Sequence, residues 1–317
     1  SIAALAGTFA NTPVQAVEPR AAIGLISLDH QGFYAGVRKG VLDEVAAQGH
    51  PVKLLELNAQ GDIAKEAAFI ETLIKAEVRA LILSPVSTAG SLRAVSAAQR
   101  AGIPIVCYNT CLDEEPTQRL AYVYVVGNPF KFGAKLGEAA AAHFVQAGIA
   151  APKIAVLNCE FVEVCVQRRK GFEQALQQRL PRAQIVANVE GTVLDKAVLA
   201  ATRLLDAHPR LDAFFGESGG ATLGAVTAVR QKARVGQTVV FGSDMTTELA
   251  HELIDGAVLK ADVDVSGRML GRLATRQALA AAKGVKRRSV MMDAGIDLYT
   301  TAAQAQRWLD GHPDGLP

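Results

Sequence analysis

Four cysteines are the residues of this chain whose type and spacing most readily suggest chemistry. Three residues separate Cys107 from Cys111, and five separate Cys159 from Cys165. Neither pair has the C-x-x-C spacing of a zinc knuckle or a catalytic redox site, and no histidine lies near them at metal-ligand spacing. We therefore expect no metal and no cofactor. Disulfides and free thiols both stay open, and four cysteines allow three disulfide pairings.

A second candidate for chemistry is Ser218 in the segment Gly216-Glu-Ser-Gly-Gly220, which matches G-x-S-x-G between a predicted strand and a predicted helix. This is the context of a hydrolase nucleophile, and Asp244 and His251 follow it in the hydrolase order. However, His251 comes only seven residues after Asp244, in a short helix that Asp244 is expected to open. We expect no enzyme; a serine hydrolase using Ser218 is the alternative of another class. A glycine-rich loop that leaves room for a ligand is the favoured interpretation.

The composition argues against nucleic-acid and membrane-spanning classes. The 317 residues are 50% hydrophobic and 20% charged, with a formal net charge of +2. So small a charge gives no general attraction to nucleic acid, and no run of about 18 apolar residues predicts a membrane span. The apolar N-terminal segment contains Val14-Gln15-Ala16, a small-x-small pattern typical of signal cleavage. We interpret residues 1–20 as a signal remnant or N-terminal arm and expect export to the periplasm.

From residue 21 onward, short apolar segments alternate with longer segments of helical periodicity. Strands that are apolar throughout are typical of parallel sheets covered by helices on both faces. The predicted strands are residues 21–28, 52–58, 79–85, 103–109, 120–127, 153–159, 183–189, 211–216, 238–243, 257–264 and 290–300. The predicted helices are residues 33–49, 62–76, 87–101, 128–148, 166–179, 195–207, 219–232 and 268–284. This order predicts an α/β protein with two similar, doubly wound parallel-sheet lobes.

The chain is expected to pass between the two lobes more than once, near residues 125–128 and along the strand at 257–264. Repeated crossings form a hinge, and the cleft between hinged lobes is a ligand site. In open α/β sheets that cleft lies at the carboxyl ends of the strands. Residues directly after the strands are therefore the candidate ligand contacts. The predicted units are an N-terminal lobe (21–126 with about 264–290), a C-terminal lobe (127–263 with about 291–300) and a C-terminal tail (301–317).

Seven landmarks along the chain occur in an order and spacing that resemble a known family. They are Phe33-Tyr34 opening a helix, AGIPIVCYN, GNPFKFGAKLGE, RRKGFEQAL, LLDAHPRLDAFFGESGGATLGAV, VVFGSDM with LIDG after it, and ADVDVSGRMLGR. Together they resemble the periplasmic sugar-binding proteins of ABC transporters, of the ribose-binding type, which share their fold with the sensor domains of LacI-type repressors. The resemblance covers about residues 21–300. It implies the type I periplasmic binding protein fold, with two lobes joined by a multi-crossover hinge.

The resemblance also implies roles for individual residues of the cleft. Phe33 and Tyr34 would stack on a face of the ligand, since the C–H faces of sugars pack well on aromatic rings. Arg168 would donate hydrogen bonds to ligand oxygens, and Asp244 would accept them from hydroxyls. Gln31 falls near a polar ligand contact of the family.

Four further positions depart from the family's pattern. Asn109 and Thr110 stand where the family usually has an Asp-Arg pair. Ser218 stands where the family often has asparagine, and Asp264 stands where it often has an amide. The changed charges leave the ligand open among pentoses, hexoses, polyols, amino sugars and other small polar molecules.

The function implied is an exported solute-binding protein that captures a sugar or polyol by hinge closure and delivers it to a membrane permease of an ABC transporter. We expect a monomer with no nucleic-acid partner. A periplasmic sensor that presents its closed form to a chemoreceptor or histidine kinase is an alternative. A repressor core would need a helix-turn-helix before Ala21, where the segment is apolar and signal-like.

This function also discriminates among the disulfide pairings. Either cross-pairing would tie the two lobes together across the cleft and prevent opening. The local pairs Cys107–Cys111 and Cys159–Cys165 are therefore favoured over free thiols. Each would close a short loop, with a modest gain in stability, and would stiffen a loop that lines the cleft.

Overall fold

Two six-stranded sheets form the two lobes of the protein in a computed structural model, which describes residues 22–30 and 32–317. The strands are β1 (Ala22–Ser27), β2 (Lys53–Asn58), β3 (Ala80–Leu83), β4 (Ile105–Tyr108), β5 (Ala121–Val126), β6 (Lys153–Asn158), β7 (Gln184–Glu190), β8 (Ala213–Gly216), β9 (Val239–Ser243), β10 (Leu259–Asp264), β11 (Met291–Asp293) and β12 (Asp297–Tyr299). The N-terminal sheet has the order β11-β5-β4-β3-β1-β2, and the C-terminal sheet has the order β12-β10-β9-β8-β6-β7. The two lobes therefore repeat one strand order, and only the edge strands differ in direction, since β11 runs parallel to β5 and β12 runs antiparallel to β10.

Helices cover both faces of each sheet. They are α1 (Gly32–Ala46), α2 (Ile63–Lys75), α3 (Leu92–Arg100), α4 (Glu114–Leu120), α5 (Pro129–Gln146), α6 (Glu163–Arg179), α7 (Leu194–Ala207), α8 (Gly219–Gln231), α9 (Thr247–Asp255), α10 (Gly267–Ala282) and α11 (Ala302–Gly311). The central strands β3, β4 and β8 are buried along their whole length, which is why they are apolar throughout. The predicted fold class, two doubly wound α/β lobes, is confirmed.

The chain crosses between the lobes at three points beside the cleft. β5 lies in the N-terminal sheet, while α5 packs against α6 and β10 of the C-terminal lobe. β10 lies in the C-terminal sheet, while α10 returns to pack on α1. The third crossing separates β11, which pairs with β5, from β12, which pairs antiparallel with β10. The prediction of one strand over 290–300 in the C-terminal lobe is therefore wrong, because the turn at 294–296 carries the chain from one sheet to the other.

Glycines bring the helices beside each crossing into backbone contact. A Cβ on Gly133 of α5 would collide with the carbonyl oxygen of Arg168 on α6, and one on Gly271 of α10 would collide with that of Val37 on α1. The helix that enters each lobe is thus packed tightly against that lobe's first helix. This packing fixes the first two turns of α1 and α6, where the candidate residues Phe33, Tyr34 and Arg168 lie.

The short helix α4 was not expected from the sequence. Its seven residues are too few to show a helical period, and a proline such as Pro116 is disfavoured in a helix interior. Proline is tolerated in a first turn because the N–H groups there have no intrahelical partner. The negative charges of Glu114 and Glu115 also stabilise the helix, because they lie at the positive, N-terminal end of its dipole.

The segment after β12 contacts both lobes. Helix α11 packs on α9, where Trp308 is buried with 3% exposure. Residues 312–317, which we call the C-terminal strap, then reach the N-terminal lobe. Within it, Asp314 forms an ion pair with Arg268 of α10, whose backbone N–H donates to the carbonyl oxygen of Pro317 at 3.1 Å. Pro317 also lies against Gly36 of α1. The predicted tail is therefore a fourth connection between the lobes.

Across residues 22–30 and 32–317, no helix combines the length and the apolar character needed to cross a membrane.

Candidate functional site

The repeated topology places Asn109 and Asp244 at equivalent positions of the two lobes. Asn109 directly follows β4, and Asp244 directly follows β9, which holds the same place in its sheet. Both residues adopt the left-handed backbone conformation, with φ of 59° and 66°. Each N–H donates to a carbonyl of the neighbouring strand, at Val125 (3.0 Å) and Val263 (2.9 Å). Each lobe therefore ends its strand in the same sharp turn and presents a polar side chain at the cleft edge of its sheet.

The first turn of α1 carries the aromatic pair of the N-terminal lobe. The Phe33 and Tyr34 rings pack edge to face, with centroids 5.4 Å apart. The Asn109 amide donates to the Tyr34 hydroxyl at 3.3 Å. Burial raises the pKa of Tyr34, and the negative charge of Asp244 in the opposite lobe adds to the rise. Tyr34 and Asp244, which belong to opposite lobes, are therefore close enough to interact electrostatically.

The loop after β4 is held from three sides. The Tyr124 hydroxyl donates to the Asn109 carbonyl oxygen at 2.8 Å. The Thr110 and Ser84 hydroxyls share a hydrogen bond of 3.0 Å. A disulfide joins Cys107 to Cys111, with Cα atoms 5.4 Å apart. The loop is therefore rigid before any ligand arrives, which reduces the entropy lost on binding.

Arg168 is the central side chain of the C-terminal half of the site. Its Nη1 donates to the Glu217 carbonyl oxygen at 2.7 Å and to Asp244 Oδ1 at 3.2 Å. The guanidinium carbon lies 3.9 Å from the centroid of the Phe132 ring, a cation–π contact. Only 9% of the residue is exposed. The arginine is therefore fixed in position, with Asp244 as its partner on the cleft side.

Three buried carboxyl groups lie behind this ion pair. Burial raises the pKa of Glu217 to about 8, although its Oε2 accepts from the Cys159 N–H at 3.0 Å. Burial, followed by the charge of Asp244, raises the pKa of Asp264 to about 8. Burial, followed by the charge of Asp264, raises the pKa of Asp262 well above its ordinary value. Burial therefore favours the neutral form of all three groups, which limits the negative charge that they place beside Arg168.

Ser218 has a structural role as the N-cap of α8. Its Oγ accepts from the Ala221 N–H at 3.3 Å and donates to the Thr192 carbonyl oxygen at 3.2 Å. His251 is exposed on α9. Within the described chain no hydrogen bond joins Ser218 to a histidine, so the arrangement that a serine hydrolase requires is not assembled.

The local pairing of the cysteines is confirmed. Cys159 is bonded to Cys165, with Cα atoms 5.5 Å apart, just as Cys107 is bonded to Cys111. In the described residues, one set of potential metal ligands converges: Cys159, Cys165 and Glu217. Because its two sulfur atoms form the disulfide, this set offers no thiolate to a metal.

The structure brings most of the predicted residues to one region but gives them unequal access. Asp264 is 2% exposed and uses Oδ1 to accept from the Met245 N–H at 3.2 Å, so it lies beneath the turn that carries Asp244. Gln31 lies outside the described residues. The sequence reasoning missed Phe132 and Glu217, although both occur inside landmark segments. The signal that could have identified Glu217 is its position as an acidic residue directly after the wholly apolar strand β8.

Comparisons with known proteins bear on the family of the whole chain. A family model described as a periplasmic binding protein domain matches residues 22–286. The ABC transporter periplasmic-binding protein YphF of Escherichia coli is 52% identical over 96% of this chain and 93% of its own length. The ribose import binding protein RbsB of Bacillus subtilis is 27% identical over 81% of this chain and 80% of its own. A solute-binding protein structure from Mycobacterium smegmatis with bound glycerol superposes with a TM-score of 0.80 at 27% identity, covering 91% of this chain and 96% of that one.

Proposed function

The chain belongs to the periplasmic binding protein family of ABC transporters, a family of solute carriers rather than enzymes, and we propose that it is an exported monomer which captures a sugar or polyol between its lobes. The loaded, closed form would deliver the ligand from the periplasm to its membrane permease. The ligand class is supported by the B. subtilis relative, which is named as a ribose import binding protein, and by the glycerol bound in the M. smegmatis structure. Transport rather than sensing is favoured by the name of the E. coli relative.

The observation that carries the proposal is the convergence of donors and acceptors from both lobes on one cleft. Tyr34 and Asn109 come from the N-terminal lobe, and Arg168 and Asp244 come from the C-terminal lobe. A ligand that bonds to both sets stabilises the closed state over the open one, because the open state offers only one set at a time.

The chemistry of these groups suits vicinal hydroxyls. Arg168 offers planar donors and Asp244 offers two acceptor oxygens, so a pair of neighbouring hydroxyls can replace part of their mutual ion pair. The rings of Phe33 and Tyr34 provide an apolar surface for the C–H face of the ligand. We assign Thr110 and Ser218 to the margin of the site, and Gln31 stays a candidate ligand contact. Asp264 acts from below by supporting the turn that positions Asp244.

A calorimetric screen of purified protein against pentoses, hexoses, cyclitols, glycerol and amino sugars tests the proposal. We expect at least one compound to bind, and Asp244→Asn and Arg168→Ala to weaken it about 10- to 100-fold, the loss expected for a hydrogen bond to a charged group. Matched controls are Asp195→Asn and Arg179→Ala, which remove an acid and a base exposed on the same lobe. Unchanged affinity in both site variants, with melting temperatures showing them folded, would show that the site is elsewhere.

A further inference from the structure

A cavity of about 660 Å³ lies between the lobes, beside the polar site rather than within it. Thr110, which follows Asn109, and Gln167, which precedes Arg168, both line it. Tyr124 also lines it and holds the Asn109 carbonyl. The cavity therefore adjoins the polar site, although its lining is chemically different.

Each disulfide holds one wall of this cavity. Cys111 and the adjoining Leu112 lie on the N-terminal wall, where the Cys107–Cys111 bond closes the loop. Phe161 lies on the C-terminal wall, inside the loop closed by the Cys159–Cys165 bond. The two stapled loops thus face each other across the same space. A rigid wall on each side is a property of a preformed binding pocket.

The lining of the cavity is mainly apolar and its charges are all of one sign. Phe161 is 70% exposed and Met291 is 47% exposed, which is unusual for side chains of this size in a cleft between lobes. The charged residues of the lining are Asp113, Glu114 and Glu163, and no lysine or arginine of the described chain belongs to it. A free sugar would leave these apolar surfaces in water.

We propose that this stapled cavity is a second subsite, which takes a neutral or cationic apolar substituent on the sugar or polyol held at the polar site. The ligand is then a glycoside with an alkyl or aryl aglycone rather than a free sugar. The inference rests on the proposed function, because the polar site must hold the sugar. The acidic rim disfavours an anionic aglycone by charge repulsion.

The test compares each free aldose with its methyl, phenyl and 4-carboxyphenyl glycosides, both anomers of each, by titration calorimetry. We expect a phenyl glycoside to bind about tenfold or more tightly than its parent sugar, since a buried ring removes a large apolar area from water. The methyl glycoside should gain little, and the carboxyphenyl glycoside should bind more weakly than the phenyl one.

Two variants assign the gain to the cavity. Phe161→Ser removes an apolar wall that is mostly exposed, and Val164→Asp places an acid in the first turn of α6, a position that tolerates it. Each should abolish most of the tenfold gain while leaving the affinity for the free sugar unchanged. Leu199→Ser, an apolar residue 52% exposed on α7, is the matched control and should change neither affinity.

The possible failures are distinguishable. A free sugar that binds as tightly as its phenyl glycoside would overturn this inference and leave the proposed function standing. The same holds if the phenyl gain persists in both cavity variants. Tighter binding of the carboxyphenyl glycoside would overturn the assignment of charge. If neither sugars nor glycosides bind, the proposed function itself fails, and this inference fails with it.

Discussion

Replacing Glu217 with glutamine tests the buried carboxyl beneath Arg168. The side chain is fully buried, and burial raises its pKa from the ordinary 4.5 to about 8. The folded protein therefore binds this proton more tightly than the unfolded chain does. Its stabilising contribution is complete below pH 4.5 and is lost as the pH rises towards 8. Glutamine mimics the neutral acid at every pH.

The magnitude follows from the pKa. Each pH unit between the two pKa values is worth about 1.4 kcal/mol, so the rise from 4.5 to about 8 corresponds to an upper limit of about 5 kcal/mol. Near pH 5, Glu217→Gln should match the parent protein within about 1 kcal/mol, because both side chains are then nearly neutral in the fold. Near pH 8.5, the variant should be the more stable protein by several kcal/mol.

Urea unfolding at half-unit intervals from pH 5 to 9 measures this difference. The quantity of interest is the unfolding free energy of Glu217→Gln minus that of the parent. Glu248→Gln, an exposed position on α9, controls for the loss of one carboxylate. A difference that is constant between pH 5.5 and 8.5 would refute the reasoning, because it would mean that Glu217 does not hold its proton in the folded protein.

Two further predictions concern the covalent and non-covalent ties of the lobes. The double variant Cys159→Ala/Cys165→Ala should lose about 2 kcal/mol of unfolding free energy, the chain-entropy value for so short a loop; an unchanged urea midpoint would show that the bond does not constrain the unfolded chain. Deleting residues 312–317 removes the Asp314–Arg268 pair and the contact at Gly36. We expect a melting temperature lower by a few degrees and a broader distribution of interlobe distances between spin labels on α3 and α7. An unchanged distribution would show that the strap does not restrain the lobes.

The parallel-sheet architecture could be predicted because its signals are local. Strands that are buried on both faces must be apolar throughout, and the helices between them show their own period. The crossing at 294–296 could not be predicted in this way. Its two strands have three residues each, and nothing in MMDAGIDLY says that Met291 pairs with Tyr124 of one sheet and Asp297 with Asp264 of the other.

The site was predictable in its outline because strand ends converge in such folds. Asn109 and Asp244 could be named from their place after a strand, without knowledge of their distances. The depth of a side chain was not predictable. Asp264 and Asp244 are both acids near strand ends, but one is sealed beneath the other, and only the packing of β10 against β9 and β12 decides which of them meets the cleft.

Trp308 gives the protein a built-in optical probe. It is the only tryptophan in the sequence, and its ring stacks on His312 at 4.3 Å, where α11 ends and the strap begins. The strap ends beside the turn of α1 that carries Phe33, since Pro317 and the Phe33 carbonyl both lie next to Gly267. The indole is therefore distant in sequence from the ligand contacts. The six residues of the strap, 312–317, connect it to the turn of α1 that carries Phe33. Its emission spectrum depends on the position of the strap. An emission change on adding ligand would therefore report the movement of one lobe relative to the other without any added label.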